Sequence, residues 1–591
     1  MLGVLSIAGI ALAELAIRRT FLSRRIGGFW SFQQQLGISL ILAGLTILAV
    51  TTATLGAPSA IVALPLLAAI AACDIADAVS FRYFGVSAGE TIRHLPVSPR
   101  GPHAFKAAIA YLRSFLPKKY AIASGGVLIA APLIASSWLS PGPGLMGSGA
   151  FAVVLGAATT VWRRRARHDD LSVVERTIVL APDAVERHPL RRCERPGTFT
   201  LETPPHPLPG TVLLVILEST GAELPSSQDP KLSLADRLRQ LGGDCDAWIA
   251  PVNAISNSSC TDVVLPSILT GAAPHESSAK LHRLPFLFDI AGARGYRTGF
   301  FTSSSLDWAG LGDFFAGARI DTLFTADTDD LPYVNDLGID DHIAARRLAE
   351  WLDADAAPAF AALYCNALHV PYQRDSEIVI PDTITARRDR ATYIVERELA
   401  LLFETLRANG RFDDALVLVV GDHGEEHYAN PDPDDASPPS RLTALSETIT
   451  RPLFLIKPPS DLVGGFRDTL RRNAGQLIGH IDIAPTIADL LGVKLAADLG
   501  YAGRSLLRPL DDDRVQYVLT TNEWRSWPRS AAGIFRGRSS AIVDYLDDRL
   551  CRYHGADAGA AFERDALLAT GMGEPLVQRA LARIYKERLG L

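Results

Sequence analysis

Two short apolar runs, each stopped by an acid, constrain this chain most. Val212-Leu213-Leu214-Val215-Ile216-Leu217 ends at Glu218, and Ala415-Leu416-Val417-Leu418-Val419-Val420 ends at Gly421-Asp422-His423-Gly424. Both read as strands, and from Thr211 onward short β-rich runs alternate with helical stretches, the signature of an α/β fold with a largely parallel sheet. Strands are expected at Val212–Leu217, Ala247–Ala250, Thr298–Thr302, Ala359–Cys365, Ala415–Val420, Pro452–Ile456 and Tyr517–Thr521. Helices are expected at Leu232–Leu241, Val263–Leu269, Phe286–Ala293, Asp341–Asp353, Ile384–Asn409 and Ile483–Leu491, the last capped by Asp482. In open sheets of this kind ligands bind beyond the strand ends, where Glu218 and Asp422-His423 lie.

The first 162 residues have a different texture. The chain is 48% hydrophobic and only 21% charged, and the apolar excess is concentrated there. Leu2–Ile17, Leu36–Leu55, Ala60–Cys73, Ala121–Trp138 and Met146–Trp162 are each about long enough to count as candidate membrane spans. Gly85–Pro117 is an amphipathic connector suited to the interface. Asp169–Pro209 reads as a linker, and Pro431–Pro439 as a surface loop. The net charge of -7 and the lack of a basic tail exclude nucleic acid as a partner. None of the six cysteines forms a C-x-x-C pair, which excludes a zinc ribbon. A Cys245–Cys260 bridge is open in an oxidising compartment.

Two carboxylates and an imidazole suit Zn²⁺ or Mn²⁺ better than Mg²⁺. Thr261 precedes the apolar stretch Val263–Leu269 and so stands at a helix N-terminus, where the dipole favours phosphate and a developing alkoxide. A nearby cation lowers its hydroxyl pKa and makes it a usable nucleophile. Ser258, Ser259 and Cys260 are neighbours that could be mistaken for it. His369, after the Ala359–Cys365 strand, can bind a phosphoryl oxygen or act as an acid toward a leaving group. Asp262, Trp308 and His427 are further candidates for substrate contact, and His480 is either a lesser candidate or part of a strand-to-helix corner.

These pieces resemble the sulfatase domain of the alkaline phosphatase superfamily. Glu218, Thr261–Gly271 with its Leu-Thr-Gly end, His369-x-Pro371, Gly421-Asp422-His423-Gly424, Asp482-Ile483-Ala484-Pro485-Thr486 and Gly503-x-Ser505-Leu506-Leu507 fall in the family order over Thr211–Pro509. Sulfatases carry a C/S-x-P-x-R motif; this chain has Cys260-Thr261-Asp262-Val263-Val264, without the Pro or the Arg. It is more similar to the lipoteichoic-acid-synthase-like phosphoglycerol transferases and the phosphoethanolamine transferases, which use a threonine and carry a helical membrane anchor. In the latter group the threonine lies five residues before a proline, as Thr261 does before Pro266. The chain departs from that group in having no His in Pro431–Pro439, with only His427 nearby, and in having His369-Val370-Pro371-Tyr372 for the usual His-Gly-Pro-x-Tyr.

The resemblance implies an αβα sandwich of the alkaline-phosphatase/sulfatase type behind a transmembrane helical domain. It assigns residues 1–168 to the anchor, 169–209 to the linker, 210–515 to the catalytic domain and 516–591 to a C-terminal extension. Glu218, Thr261, Asp422 and His423 would bind one divalent metal, Zn or Mn, with room left for a second, and His369 would contact phosphate. The implied enzyme is a monomeric transferase that moves a phosphoglycerol or phosphoethanolamine head group from a phospholipid to a glycan or lipid hydroxyl through a phospho-threonine. The alternative is a sulfatase-like hydrolase or phosphodiesterase. The family places the catalytic domain outside a bacterial cytoplasmic membrane. The clusters Arg18-Arg19, Arg24-Arg25, Lys118-Lys119 and Arg163–Arg167 argue for the opposite orientation.

Overall fold

The computed structural model describes residues 199–554 except 307–309, 336, 371, 374, 426–444, 463–464, 521, 523, 525–530 and 545–551. It also describes residues 9, 11–13, 16, 36, 39–48, 51 and 143–162, and Leu190. Helix α1 spans Pro143–Trp162. Strands β1 (Phe199–Leu201) and β2 (Thr211–Leu217) follow, then α2 (Leu234–Leu241), β3 (Ala254–Ile255), α3 (Thr261–Thr270) and α4 (Leu287–Ala293). The chain continues through β4 (Arg297–Thr302), β5 (Thr322–Phe324), α5 (Asp341–Ala354), β6 (Ala359–Cys365), α6 (Arg387–Ala408), β7 (Leu416–Gly421) and β8 (Phe454–Lys457). Strand β9 (Ile478–Gly479), helix α7 (Ile483–Leu490) and strand β10 (Val493–Leu495) come next. Strands β11 (Val515–Leu519), β12 (Ala531–Arg536), β13 (Ser539–Asp544) and β14 (Arg552–His554) close the order.

The central sheet has six strands in the order β5-β4-β6-β2-β7-β8. Strand β2 lies at its middle, parallel to β6 and β7. Its seven residues are all buried because both faces are covered. Leu214 and Ile216 face a core that holds Ile268 of α3, Phe288 of α4 and Ile487 of α7. Leu213, Val215 and Leu217 face a second core with Leu238 of α2, Leu348 of α5 and Phe403 of α6. Each such side chain stabilises the fold by about 1.5–3 kcal/mol through burial. The result is the three-layer α/β architecture expected, with one difference: β8 runs antiparallel to β7, so the sheet is mixed.

Other expectations are corrected. Ala247–Ala250 is not a strand: Asp244 caps a 3₁₀ turn at Cys245–Ala247, and Ile249 makes only an isolated bridge to Ile456. The last part of the linker belongs to the folded unit, since β1 pairs antiparallel with β10. Cys245 and Cys260 are free thiols. Strands β11–β14 form an antiparallel sheet whose Val518, Phe535 and Ile542 pack on Ile255 and Leu477.

Asp482 is at the N-cap of α7 but makes no side-chain cap hydrogen bond. Its carboxylate is fully buried and accepts from Gly479 N at 2.9 Å, Arg504 N at 2.8 Å and Gln516 Nε2 at 3.1 Å. Arg514 binds it with both terminal nitrogens, at 3.1 and 2.7 Å. Arg514→Met would leave a buried, partly uncompensated carboxylate, which costs about 3–5 kcal/mol. Urea denaturation should show that loss; a change under about 1 kcal/mol would mean the pair is dispensable.

Of the candidate spans, Ala60–Cys73 and Ala121–Trp138 lie outside the described residues, and Leu2–Ile17 and Leu36–Leu55 are described only in part. Met146–Trp162 lies within α1. Among the described residues no helix is long and apolar enough to cross a membrane. Pro431–Pro439 and Gly85–Pro117 lie outside the described residues, as does most of Asp169–Pro209.

Candidate metal centre

Three strand ends converge at one edge of the sheet. Glu218 follows β2, and its N–H donates to Cys365 O of β6 at 3.0 Å; Asp422 follows β7, and its N–H donates to Leu217 O at 3.0 Å. The glycines that flank the Asp-His pair are required by close backbone approach. A Cβ on Gly421 would run into the carbonyl oxygen of Thr220, and one on Gly424 into that of Thr448. Ser219 adopts a left-handed conformation (φ 52°), a strained state for a non-glycine residue. In that conformation its N–H donates to Asp422 Oδ1 at 2.7 Å and its hydroxyl to Glu218 Oε1 at 2.9 Å.

Thr261 is the first residue of α3, behind the N-cap Cys260. Its Oγ lies 2.8 Å from Glu218 Oε2 and 2.7 Å from Asp422 Oδ2, with all three residues buried. A threonine hydroxyl has one proton and cannot donate to both oxygens. The second short contact needs a proton on a carboxyl group or a cation among the oxygens. Burial, and then the charge of Glu218, pushes the Asp422 carboxyl well above its ordinary range.

The His423 ring completes the cluster. Its Nδ1 lies 3.0 Å from Gly424 O, which can only accept, so Nδ1 carries the proton and Nε2 presents its lone pair. Nε2 is 3.5 Å from Asp422 Oδ2 and 3.7 Å from Glu218 Oε1. The ligand atoms of Glu218, Asp422 and His423 all lie within 4.8 Å of one another. This donor set, with the threonine contact left over, fits a divalent cation of the Zn²⁺ or Mn²⁺ kind.

The other candidates are placed less centrally. His369 is buried, and its N–H donates to Asn366 O at 2.9 Å in the loop after β6. Asp262 is buried in the first turn of α3. Trp308 and His427 lie outside the described residues. Two contributors are absent from the sequence reading: Ser219, and Tyr364 of β6, whose hydroxyl donates to Glu218 Oε2 at 2.5 Å. Burial, followed by the charges of Glu218 and Asp422, pushes the Tyr364 phenol well up.

His480 is a structural corner. It is fully buried, and its Nε2 donates to Gly421 O at 2.9 Å. Burial lowers its pKa to about 3. A depressed basic pKa means that the unfolded chain takes up the proton first, so stability is lost as pH falls from about 6.5 toward 3, at about 1.4 kcal/mol per pH unit. Between pH 6.5 and 5 the protein should lose about 2 kcal/mol from this group, and His480→Asn should flatten that slope in chemical denaturation. An equally steep slope in the variant would assign the acid sensitivity elsewhere.

The family model Sulfatase matches residues 210–493. No curated protein matches the chain. Among solved structures, the C-terminal periplasmic domain of EptC from Escherichia coli, in complex with Zn, is 18% identical, with 55% of this chain and 93% of that chain covered and a TM-score of 0.44. The lipoteichoic acid synthase LtaP from Listeria monocytogenes is 16% identical, covering 66% and 96%, with a TM-score of 0.44. The lipooligosaccharide phosphoethanolamine transferase EptA from Neisseria meningitidis, an integral membrane protein, is 14% identical, covering 83% and 95%, with a TM-score of 0.45. The match to the sulfatase family model thus spans the stretch that carries the acid and the Asp-His pair at adjoining strand ends.

Proposed function

We propose that the protein is a metal-dependent transferase that moves a phosphoglycerol or phosphoethanolamine head group from a phospholipid to a glycan or lipid hydroxyl, with Thr261 as nucleophile. The observation that carries this reading is the Thr261 hydroxyl, held between Glu218 and Asp422 at the N-terminus of α3. The absence of C/S-x-P-x-R around Cys260-Thr261 supports threonine rather than formylglycine chemistry.

Glu218, Asp422, His423 and Thr261 would hold a divalent cation, Zn or Mn, which when bound would lower the hydroxyl pKa and offset charge on the phosphoryl oxygens. Thr261 Oγ attacks phosphorus, the bond to the diacylglycerol oxygen breaks, and the head group is left as a phosphodiester on Thr261. His369 protonates the departing oxygen or contacts the phosphoryl group. The N-terminal half-turn of α3 faces the developing charge with its dipole. An acceptor hydroxyl then displaces Thr261. With water as acceptor the same residues make a phosphodiesterase, and the sulfatase-family match keeps that hydrolase as the second reading.

A lipid donor suits a membrane anchor over residues 1–168, with the catalytic domain on the outer side of a bacterial cytoplasmic membrane. Two features of α1 support the anchor. Phe151 and Val154 are 61% and 65% exposed, as lipid-facing residues are. Gly149 approaches Gly44 so closely that a Cβ on either would meet the other's carbonyl, and small residues let membrane helices pack in this way.

The test is intact mass and peptide mapping after incubation with phosphatidylglycerol or phosphatidylethanolamine and Mn²⁺ or Zn²⁺. A phosphoglycerol or phosphoethanolamine adduct on Thr261 is expected and names the donor. Steady release of soluble head group without any adduct or acceptor dependence would replace the transferase by the hydrolase.

A further inference from the structure

Strand β6 is apolar and buried along its whole length, Ala-Phe-Ala-Ala-Leu-Tyr-Cys. Phe360 and Ala362 share a face of the sheet with Tyr364 and pack into the core beneath α3 and α4. Tyr364 alone on that face brings a polar group. In register it lies opposite Ile216 of β2 and Thr302 of β4, which sets its ring under the end of β2, where Glu218 begins. A buried tyrosine needs a partner for its hydroxyl, and here the partner is Glu218 Oε2 at 2.5 Å.

That oxygen also receives the Thr261 hydroxyl, at 2.8 Å. The other carboxylate oxygen, Oε1, accepts from Ser219 Oγ at 2.9 Å and faces His423 Nε2 at 3.7 Å. Asp422 is divided in the same way. Its Oδ1 accepts from the N–H groups of Ser219 and His423, at 2.7 and 2.6 Å, while its Oδ2 faces Thr261. Each carboxylate is thus gripped from behind by donors of the fold and turned toward the same small volume. Donors to a metal-binding carboxylate fix its plane and govern affinity.

We propose that Tyr364 is a positioning residue: its hydroxyl holds Glu218 Oε2 so that this carboxylate, Asp422 Oδ2, His423 Nε2 and the Thr261 hydroxyl meet around one divalent cation. The inference deepens the metal-dependent reading above and rests on it. Tyr364 is buried behind Glu218, so its loss should act through the metal and the nucleophile rather than through substrate binding. When the threonine proton is lost, the phenol still donates to Oε2, and Glu218 keeps its orientation through the step in which Thr261 attacks.

The experiment compares the full chain with its Tyr364→Phe variant, which keeps the ring in the core and deletes one oxygen. Zn²⁺ and Mn²⁺ affinities are measured by competition with a chromophoric chelator, melting is followed in EDTA, and turnover is measured with the phospholipid donor. Expected for Tyr364→Phe are a metal affinity lower by about 10–100-fold, a reduced kcat with KM within about twofold, and an EDTA-state melting temperature within a few degrees of the parent. Unchanged metal affinity overturns the inference, and so does a change confined to KM, which would put the phenol against substrate. A parent chain that binds neither cation overturns the metal-dependent reading itself. A parent that binds tightly beside an equally tight variant leaves that reading standing and removes only Tyr364.

Discussion

Thr261→Ala should lower turnover by about a thousandfold or more, the scale seen when an enzyme loses its nucleophile, while the variant stays folded. Thr261 caps nothing with its side chain, and α3 is held by its apolar core, including Val263, Val264 and Ile268. The fold therefore has little to lose beyond one hydroxyl that is short of a second proton. Thr261→Ser keeps the oxygen and should retain measurable turnover and the covalent adduct, though the freer side chain spends less time in line. Steady-state rates and intact mass on the three proteins decide the matter. If Thr261→Ala turned over within tenfold of the parent, the nucleophile would have to be sought at Ser259 or Cys260.

Glu218→Gln should move two observables in opposite directions. Metal affinity should fall at least about a hundredfold, because a charged ligand becomes a neutral one. The metal-free protein should melt a few degrees higher, because two carboxylates buried against each other destabilise the fold. The pH dependence follows. The Asp422 carboxyl is pushed up by burial and by Glu218. A raised acid favours the folded state while it is protonated, and that contribution is lost as pH rises through the raised value. In EDTA the parent should therefore weaken as pH climbs out of the usual carboxylate range, and Glu218→Gln should be flatter. With saturating Zn²⁺ the order reverses, since a ligand at a hundred times its Kd adds about 2.7 kcal/mol to the parent alone. Calorimetry with and without metal reads both effects. A variant less stable than the parent in EDTA would show that the carboxylates do not repel.

Much of this was legible because the central strands are short, apolar and bounded by residues that stop strands. Ala359–Cys365 is found with the limits expected, between Pro358 and Asn366, and β2 differs by one residue. Glu218, Asp422 and His423 were legible as chemistry because each follows such a run. The failures have separate causes. Trp248 and Ile249 look like strand residues, but Asp244 caps the turn Cys245–Ala247 by accepting from Asp246 N–H, and local propensity did not outweigh it. In the C-terminal sheet β11 was expected, at Tyr517–Thr521, but β12 was not: Ala531–Arg536 carries two alanines and a glycine, and the ladder to β11 and β13 holds it. Tyr364 and Ser219 escaped because their roles depend on register. Tyr364 meets Glu218 across 146 residues of chain, and only the pairing of β6 with β2 shows that they share a face.

The backbone just before Thr261 is tied to sequence far downstream. Leu519 of β11 donates its N–H to Asn257 O and accepts from Ser258 Oγ at 2.6 Å, two residues before the N-cap of α3. Strand β2 likewise needs β6 and β7 on either side before Glu218 and Asp422 can face each other. Contacts of such long sequence separation form late, because the closing loops are long. A chain still emerging from the ribosome, with residues up to about 500 exposed, holds every candidate site residue named here but not the strand that fixes the threonine segment. The candidate site is therefore complete only once β11 has been made, and a product truncated before Val515 should be inert with Glu218, Thr261, Asp422 and His423 all present.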